Sequence, residues 1–313
     1  MKSPYPYFGN KNRVAIAIWE RLGKIKNYVE PFFGSGVVLL SRPDYDPNKV
    51  PLETVNDKDG FICNFWRAVQ NNPEKLAYYA DQPFIESDLH ARHIWLNYKR
   101  NNLTSKLEGD PDFCDYKVAG WWVWGICFWI GREWCVGRGP WKIENNELIK
   151  RKGEGIGIYR QLPHLGSNGQ NIYGKKTRGK LLQIFQELQN RIKNVRVCSG
   201  DWTRVMGKTV TYKHGLTGIF LDPPYSEKAN RRENLYSQED LKVAYDVRKW
   251  CIKNGDNSKL RIAFCGYEDE HDSEISNTWE RFYWKGKAGY TAQSDKKKKR
   301  DEVIWFSPAC LRI

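Results

Sequence analysis

The 313-residue chain has no run of 18 apolar residues, the length a membrane-spanning helix needs. Its N-terminus, MKSPYPYFGN, lacks the apolar core of a secretory signal. None of its eight cysteines stands at C-x-x-C spacing, so the clustered ligands of a zinc module are missing and buried free thiols are expected. His90 and His93, three apart on an expected helix, have no Cys or acidic motif beside them and read as a surface pair. No metal and no membrane are expected, and a reducing cytosol is the expected compartment. Acidic residues are also short, 37 against 51 Lys and Arg. The net charge of +14 implies a polyanionic partner. What is there, 40% hydrophobic and 14% aromatic residues, describes a folded globular chain rather than a disordered one.

The organising stretch is Gly218-Ile219-Phe220-Leu221-Asp222-Pro223-Pro224-Tyr225. A short apolar run bounded by turn residues reads as a buried parallel strand. Pro223 and Pro224 cannot continue a ladder, so the strand ends where Asp222 emerges. An acid and an aromatic ring are thereby fixed at a strand's carboxyl end, where open α/β sheets bind ligands. A carboxylate and a proline carbonyl there can accept hydrogen bonds from an exocyclic amine, orienting its lone pair, while Tyr225 stacks on the ring that carries it.

Earlier in the chain, Tyr7-Phe8-Gly9-Asn10-Lys11 leads into a helix reaching Leu22. Asn27-Tyr28-Val29-Glu30-Pro31-Phe32-Phe33-Gly34-Ser35-Gly36 reads as a strand, a tight glycine turn and a short helix. A dinucleotide site would want a third glycine three residues after Gly36, where Leu39 stands, and this argues for a cofactor without a pyrophosphate. Glu53 to Asp57 ends a second strand in an acid, placed to take ribose hydroxyls or to cap the helix expected from Phe61. A third strand, Val195 to Cys198, leads to Gly200-Asp201-Trp202, where an acid and an indole could grip a purine. Asp222 ends the fourth, and Arg261 to Phe264 is the fifth. Two last strands, Trp279 to Trp284 and Glu302 to Phe306, have no helix between them and should pair antiparallel.

In this order the motifs resemble the Dam-type (class D12, α-group) DNA adenine N6-methyltransferases, particularly phage-borne members, some of which serve restriction-modification systems. The resemblance implies an α/β, Rossmann-like seven-stranded methyltransferase sheet with an antiparallel terminal hairpin, plus an inserted, mainly helical target-recognition subdomain. It covers residues 1–85 and 193–313 as the catalytic core and leaves 86–192 as the insertion. It implies S-adenosylmethionine as cofactor and double-stranded DNA as substrate. Carried over by residue, Tyr7, Phe8 and Lys11 would line the methionine end, with Glu30, Phe33, Gly34 and Gly36 in the glycine bend. Asp57 would take the ribose, Asp201 and Trp202 the adenine, and Asp222, Pro223, Pro224 and Tyr225 the amine, with Asp222 also among the cofactor-binding residues. Tyr7 stands where relatives often carry Trp.

The insertion holds six of the fourteen tryptophans between 121 and 141, expected to pack a small helical subdomain. From 132 to 180 eleven Lys and Arg face four acids, an excess of seven and half that of the chain. Such a loop can lie along phosphates, with a side chain or two entering the major groove. Arg138, Arg160 and His164 are the base-reading candidates, and Lys175, Lys176 and Arg178 the phosphate candidates. Arg231, just after the Asp-Pro-Pro-Tyr loop, and Lys297 and Lys298 in a second basic run complete the set. Cytosine N4 methylation is an alternative, although those enzymes usually carry Ser where Asp222 stands. A methyltransferase-like protein that binds DNA or RNA without turnover is another, and a glutamine- or RNA-modifying enzyme a third. No cysteine follows a proline, which disfavours cytosine-C5 chemistry.

Overall fold

The computed structural model describes residues 1–7, 9–43, 45–46, 48–49, 51–110, 112–129, 134–135, 141–144, 147–150, 171–174, 179–224, 238–284 and 302–313. Among them the strands are β1 (Asn27–Glu30), β2 (Leu52–Asp57), β3 (Trp141–Glu144), β4 (Glu147–Lys150), β5 (Arg196–Ser199), β6 (Thr217–Leu221), β7 (Leu260–Tyr267), β8 (Glu280–Trp284) and β9 (Glu302–Phe306). The α-helices are α1 (Ala15–Leu22), α2 (Val37–Leu40), α3 (Gly60–Asn71), α4 (Pro73–Ala80), α5 (Glu86–Gly109), α6 (Tyr116–Phe128), α7 (Leu181–Ile192), α8 (Gln238–Asn254) and α9 (Glu268–His271).

Seven strands form one sheet in the order β5-β2-β1-β6-β7-β9-β8, while β3 and β4 make a separate antiparallel pair. β1 pairs parallel with β2 and with β6, and β6 pairs parallel with β7. β9 runs antiparallel to both β7 and β8, so the expected terminal hairpin forms, with its second strand the inner one. Beyond β1 the chain goes first to the β2 side and later to the β6 side. The gap between the carboxyl ends of β1 and β6 is therefore a topological switch point, where doubly wound sheets bind ligands.

By packing, the chain divides into two units. One takes Met1–Asn10, Gly34–Leu40 and Asp57–Asp201, the other Lys11–Phe33, Ser41–Asn56 and Trp202–Ile313. In the second unit, β6 is buried along its whole length, because both sheet faces are covered. Ile219, Phe220 and Leu221 are at most 2% exposed, each worth about 1.5–3 kcal/mol of burial. α1 packs on β7 with its Ala15, Ile18 and Leu22 buried, and β2 is tied to the chain after α2 by a buried ion pair, Arg42 to Glu53 at 3.0 Å.

The first unit gathers α3, α4, α6 and α7 around aromatic side chains. Tyr5 sits edge-on to Phe65 and Trp122, with ring centroids 5.3 and 4.9 Å away. Trp122, Trp124, Trp129 and Trp134 are buried, Trp121 is half-buried, and the side chain of Trp141 lies outside the described residues. The histidine expectation is corrected here. His93 is buried, stacked on Trp129 at 4.9 Å and 6° and packed against Trp134, because its helix face turns toward those tryptophans. Burial, then the neighbouring His90 and Arg100, push its pKa down to about 4, so it is neutral near pH 7. The β3–β4 pair is also new, since a mainly helical subdomain, with no strand, was expected in this region.

Candidate active site

In the second unit, the last apolar residue of β6 is Leu221, paired with Phe264 of β7. Asp222 follows where the ladder stops, and its carboxylate Oδ2 lies 2.8 Å from Lys11 Nζ. Lys11 reaches it from the turn before α1, where its carbonyl accepts from the N–H groups of Val14 and Ala15. The lysine is 2% exposed, and its ammonium also lies 5.5 Å from the centroid of the Trp284 ring. Burial raises the pKa of Asp222, and Lys11 works against that rise. Burial likewise opposes the charge on Lys11, but Asp222, with Cys265 and Glu302 beside it, outweighs burial and the pKa of Lys11 is raised. Each member thereby favours the other's charged form.

Upstream in the same unit, Glu30 ends β1 buried and accepts from Tyr28 Oη at 2.9 Å. Phe33 is buried and its N–H donates to Asn56 O at 2.9 Å. Trp202 is buried with its ring stacked on Phe32, centroids 6.1 Å apart.

In the first unit the glycine bend has its own clamp. The Gly34 N–H donates to Asp57 Oδ2 at 2.8 Å, and the Gly34 carbonyl accepts from Tyr5 Oη at 2.6 Å and from Trp66 Nε1 at 3.1 Å. Gly34 has φ +48, in the left-handed region, and a Cβ there would meet the Tyr7 ring at 2.6 Å, so only glycine fits. Gly36 also has positive φ, and its carbonyl accepts from Leu40 to begin α2.

Asp57 is a junction. Its other carboxylate oxygen accepts from Asp59 N–H at 2.9 Å, and its carbonyl accepts from Gly200 N–H at 2.9 Å. Burial raises its pKa to about 7, while hydrogen bonds from Asp59 and Gly34 pull the other way. The capping role weighed for Asp57 falls instead to Asp59, whose side chain accepts from Phe61 N–H at 2.8 Å. Asp201 is exposed. Tyr5, Trp66 and Asp59 were missed as site residues. Tyr5 stands two residues before the quoted aromatic motif, and Trp66 carried no signal beyond that of a core helix position.

Phe8, Tyr225, Arg138, Arg160, His164, Lys175, Lys176, Arg178, Arg231, Lys297 and Lys298 lie outside the described residues. Among the described residues no cluster of three or more His, Cys, Asp or Glu could hold a metal, and no helix is long and apolar enough to cross a membrane.

A family model described as D12 class N6 adenine-specific DNA methyltransferase matches residues 7–108. Over those residues, about a third of its length, the chain is similar to that family. Its mixed seven-stranded sheet is the α/β fold of methyltransferases. The matched segment carries Lys11, the Gly34–Gly36 bend and Asp57. The Asp222-Pro223-Pro224 loop lies beyond it. No curated protein matches the chain.

Proposed function

We propose that the enzyme takes its methyl group from S-adenosylmethionine and places it on N6 of an adenine rotated out of duplex DNA. The observation that carries this reading is Asp222 at the carboxyl end of β6, ion-paired to buried Lys11 beside the switch point of the sheet. When bound, the cofactor supplies an electrophilic methyl group on a sulfonium. The residues assigned to it are Tyr7, Phe8, Lys11, Glu30, Phe33, Gly34, Gly36, Asp57, Asp201 and Trp202. The clamped, Cβ-free bend at Gly34 suits a ligand that meets the backbone closely, and a buried Leu39 where a third glycine would stand suits one without a pyrophosphate.

The residues acting on the base are Asp222, Pro223, Pro224 and Tyr225. An adenine amine is a weak nucleophile because its lone pair is drawn into the ring. The Asp222 carboxylate and the Pro223 carbonyl accept its two hydrogens and turn the lone pair out of the ring plane. The surplus proton on N6 passes to Asp222, whose burial raises its proton affinity above that of an ordinary carboxylate. Most of the acceleration comes from holding nucleophile and methyl group in near-attack geometry. The amine is stacked inside a duplex, so the base must leave the helix first. The 86–192 insertion would supply target recognition, with its basic loop along the phosphates.

Incubation of duplex DNA with methyl-labelled S-adenosylmethionine, followed by nucleoside mass spectrometry, tests the reading. Labelled N6-methyl-2′-deoxyadenosine is expected. Label on cytosine N4, or DNA bound without any label transferred, would overturn it.

A further inference from the structure

We infer that one face of α5, extended by the first turn of α6, is a docking surface for the phosphate backbone of duplex DNA, outside the target-base pocket. The inference rests on the reading that the chain methylates DNA. It uses none of the loop residues assigned to DNA above.

Trp95, Tyr98, Lys99 and Lys106 recur at helical spacing and share one stripe of α5. Lys99 Nζ lies 5.3 Å from the Trp95 ring centroid and 5.9 Å from that of Tyr98. On α6, Lys117 lies over Trp95 at 4.9 Å and over Trp121 at 4.4 Å, joining the two helices through an alternation of cations and rings. Lys106 continues the stripe, exposed, and lies 5.5 Å from the Phe113 ring centroid. Tyr98 is 75% exposed. Asp88, two turns before Trp95, is ion-paired with Arg92 at 3.6 Å, and Glu108 lies on the opposite face of the helix.

Each ammonium lies over an indole face and keeps a side turned away from the ring, so it can meet a phosphate without giving up the ring. Lys99 and Lys106 are seven residues apart, about 10 Å along the helix, a span that reaches more than one phosphate of a DNA strand. An exposed tyrosine hydroxyl is a further phosphate donor. Charge complementarity therefore favours a polyanion over an acidic protein segment, whose carboxylates are not evenly spaced.

The test compares full-length wild type with K99Q/K117Q, and with K24Q/K253Q as a control that removes two exposed lysines elsewhere. DNA affinity is measured against salt on two unrelated duplexes. The slope of log K against log salt should fall by about 1.8 for K99Q/K117Q, equally on both duplexes, and stay unchanged for the control. Y98A should weaken binding on both duplexes alike. Equal slopes for the two double variants, whether both unchanged or both reduced, would overturn the surface. Wild type that neither binds nor methylates DNA would instead overturn the function on which it rests.

Discussion

Lys11 Nζ stands 2.8 Å from Asp222 Oδ2, a cation from the turn before the first helix meeting a carboxylate from the end of the fourth strand in chain order of the parallel core. The family resemblance assigns Lys11 to the methionine end of the cofactor. The contact seen ties it to the group proposed to act on the base.

That contact has a pH signature. Burial raises the pKa of Asp222 and Lys11 restrains the rise. Replacing Lys11 by Met removes the restraint, so a higher pH is needed to ionise Asp222. The acid limb of the kcat/KM profile should move up by about 1–3 pH units, the effect of an adjacent cation. A limb that stays in place in Lys11→Met would show that Asp222 ionisation does not depend on the pair.

Gly34→Ala places a Cβ 2.6 Å from the Tyr7 ring and an L-residue at φ +48. The backbone cost alone is about 1–2 kcal/mol, so the unfolding free energy should fall by at least that much. Gly34→Ala combined with Tyr7→Ala removes the clash but not the strain, and should recover part of that stability. Denaturant melts measure both.

Tyr5 and Trp66 donate to the same Gly34 carbonyl. Tyr5→Phe or Trp66→Phe leaves one donor in place and should cost about 1 kcal/mol of stability. The double variant leaves none, so its loss should exceed the sum of the singles. Denaturant melts in a double-mutant cycle read the coupling, with the cofactor KM rising most in the double variant. Strict additivity would mean the two bonds do not share a task.

Asp57 carries a pKa of about 7 against an ordinary carboxylate value near 4. A folded-state pKa above the unfolded one means the fold binds that proton more tightly. Its contribution to stability is complete below pH 4 and is lost as pH rises through about 7. Asp57→Asn cannot titrate, so the difference in unfolding free energy between the variant and wild type should change in favour of the variant between pH 4 and 7. A difference that is flat with pH would contradict this.

Much of the fold was legible in the residues. The Glu302 to Phe306 strand has the predicted bounds, and the strand into Asp222 and the one into Asp57 differ by one residue each. Periodicity and turn chemistry act locally, so they show in sequence. β3 and β4 were missed although Asn145-Asn146 between two short alternating runs is a hairpin signal; the surrounding tryptophans drew the reading toward helix. The inner position of β9 was not legible, because an antiparallel pair can add to a sheet by either strand. The ion pair of Lys11 and Asp222, 211 positions apart, could not be read from local pattern. Nor could the burial of His93, which depends on Trp129 and Trp134 arriving from beyond α6.

The proposal stands most directly on Asp222→Ala under single-turnover conditions, with cofactor affinity measured in parallel. The account predicts a methylation rate lower by at least about 10²-fold, while the dissociation constant for S-adenosylmethionine stays within about threefold. A variant that methylates adenine at the wild-type rate, or one that loses the cofactor altogether, would contradict it.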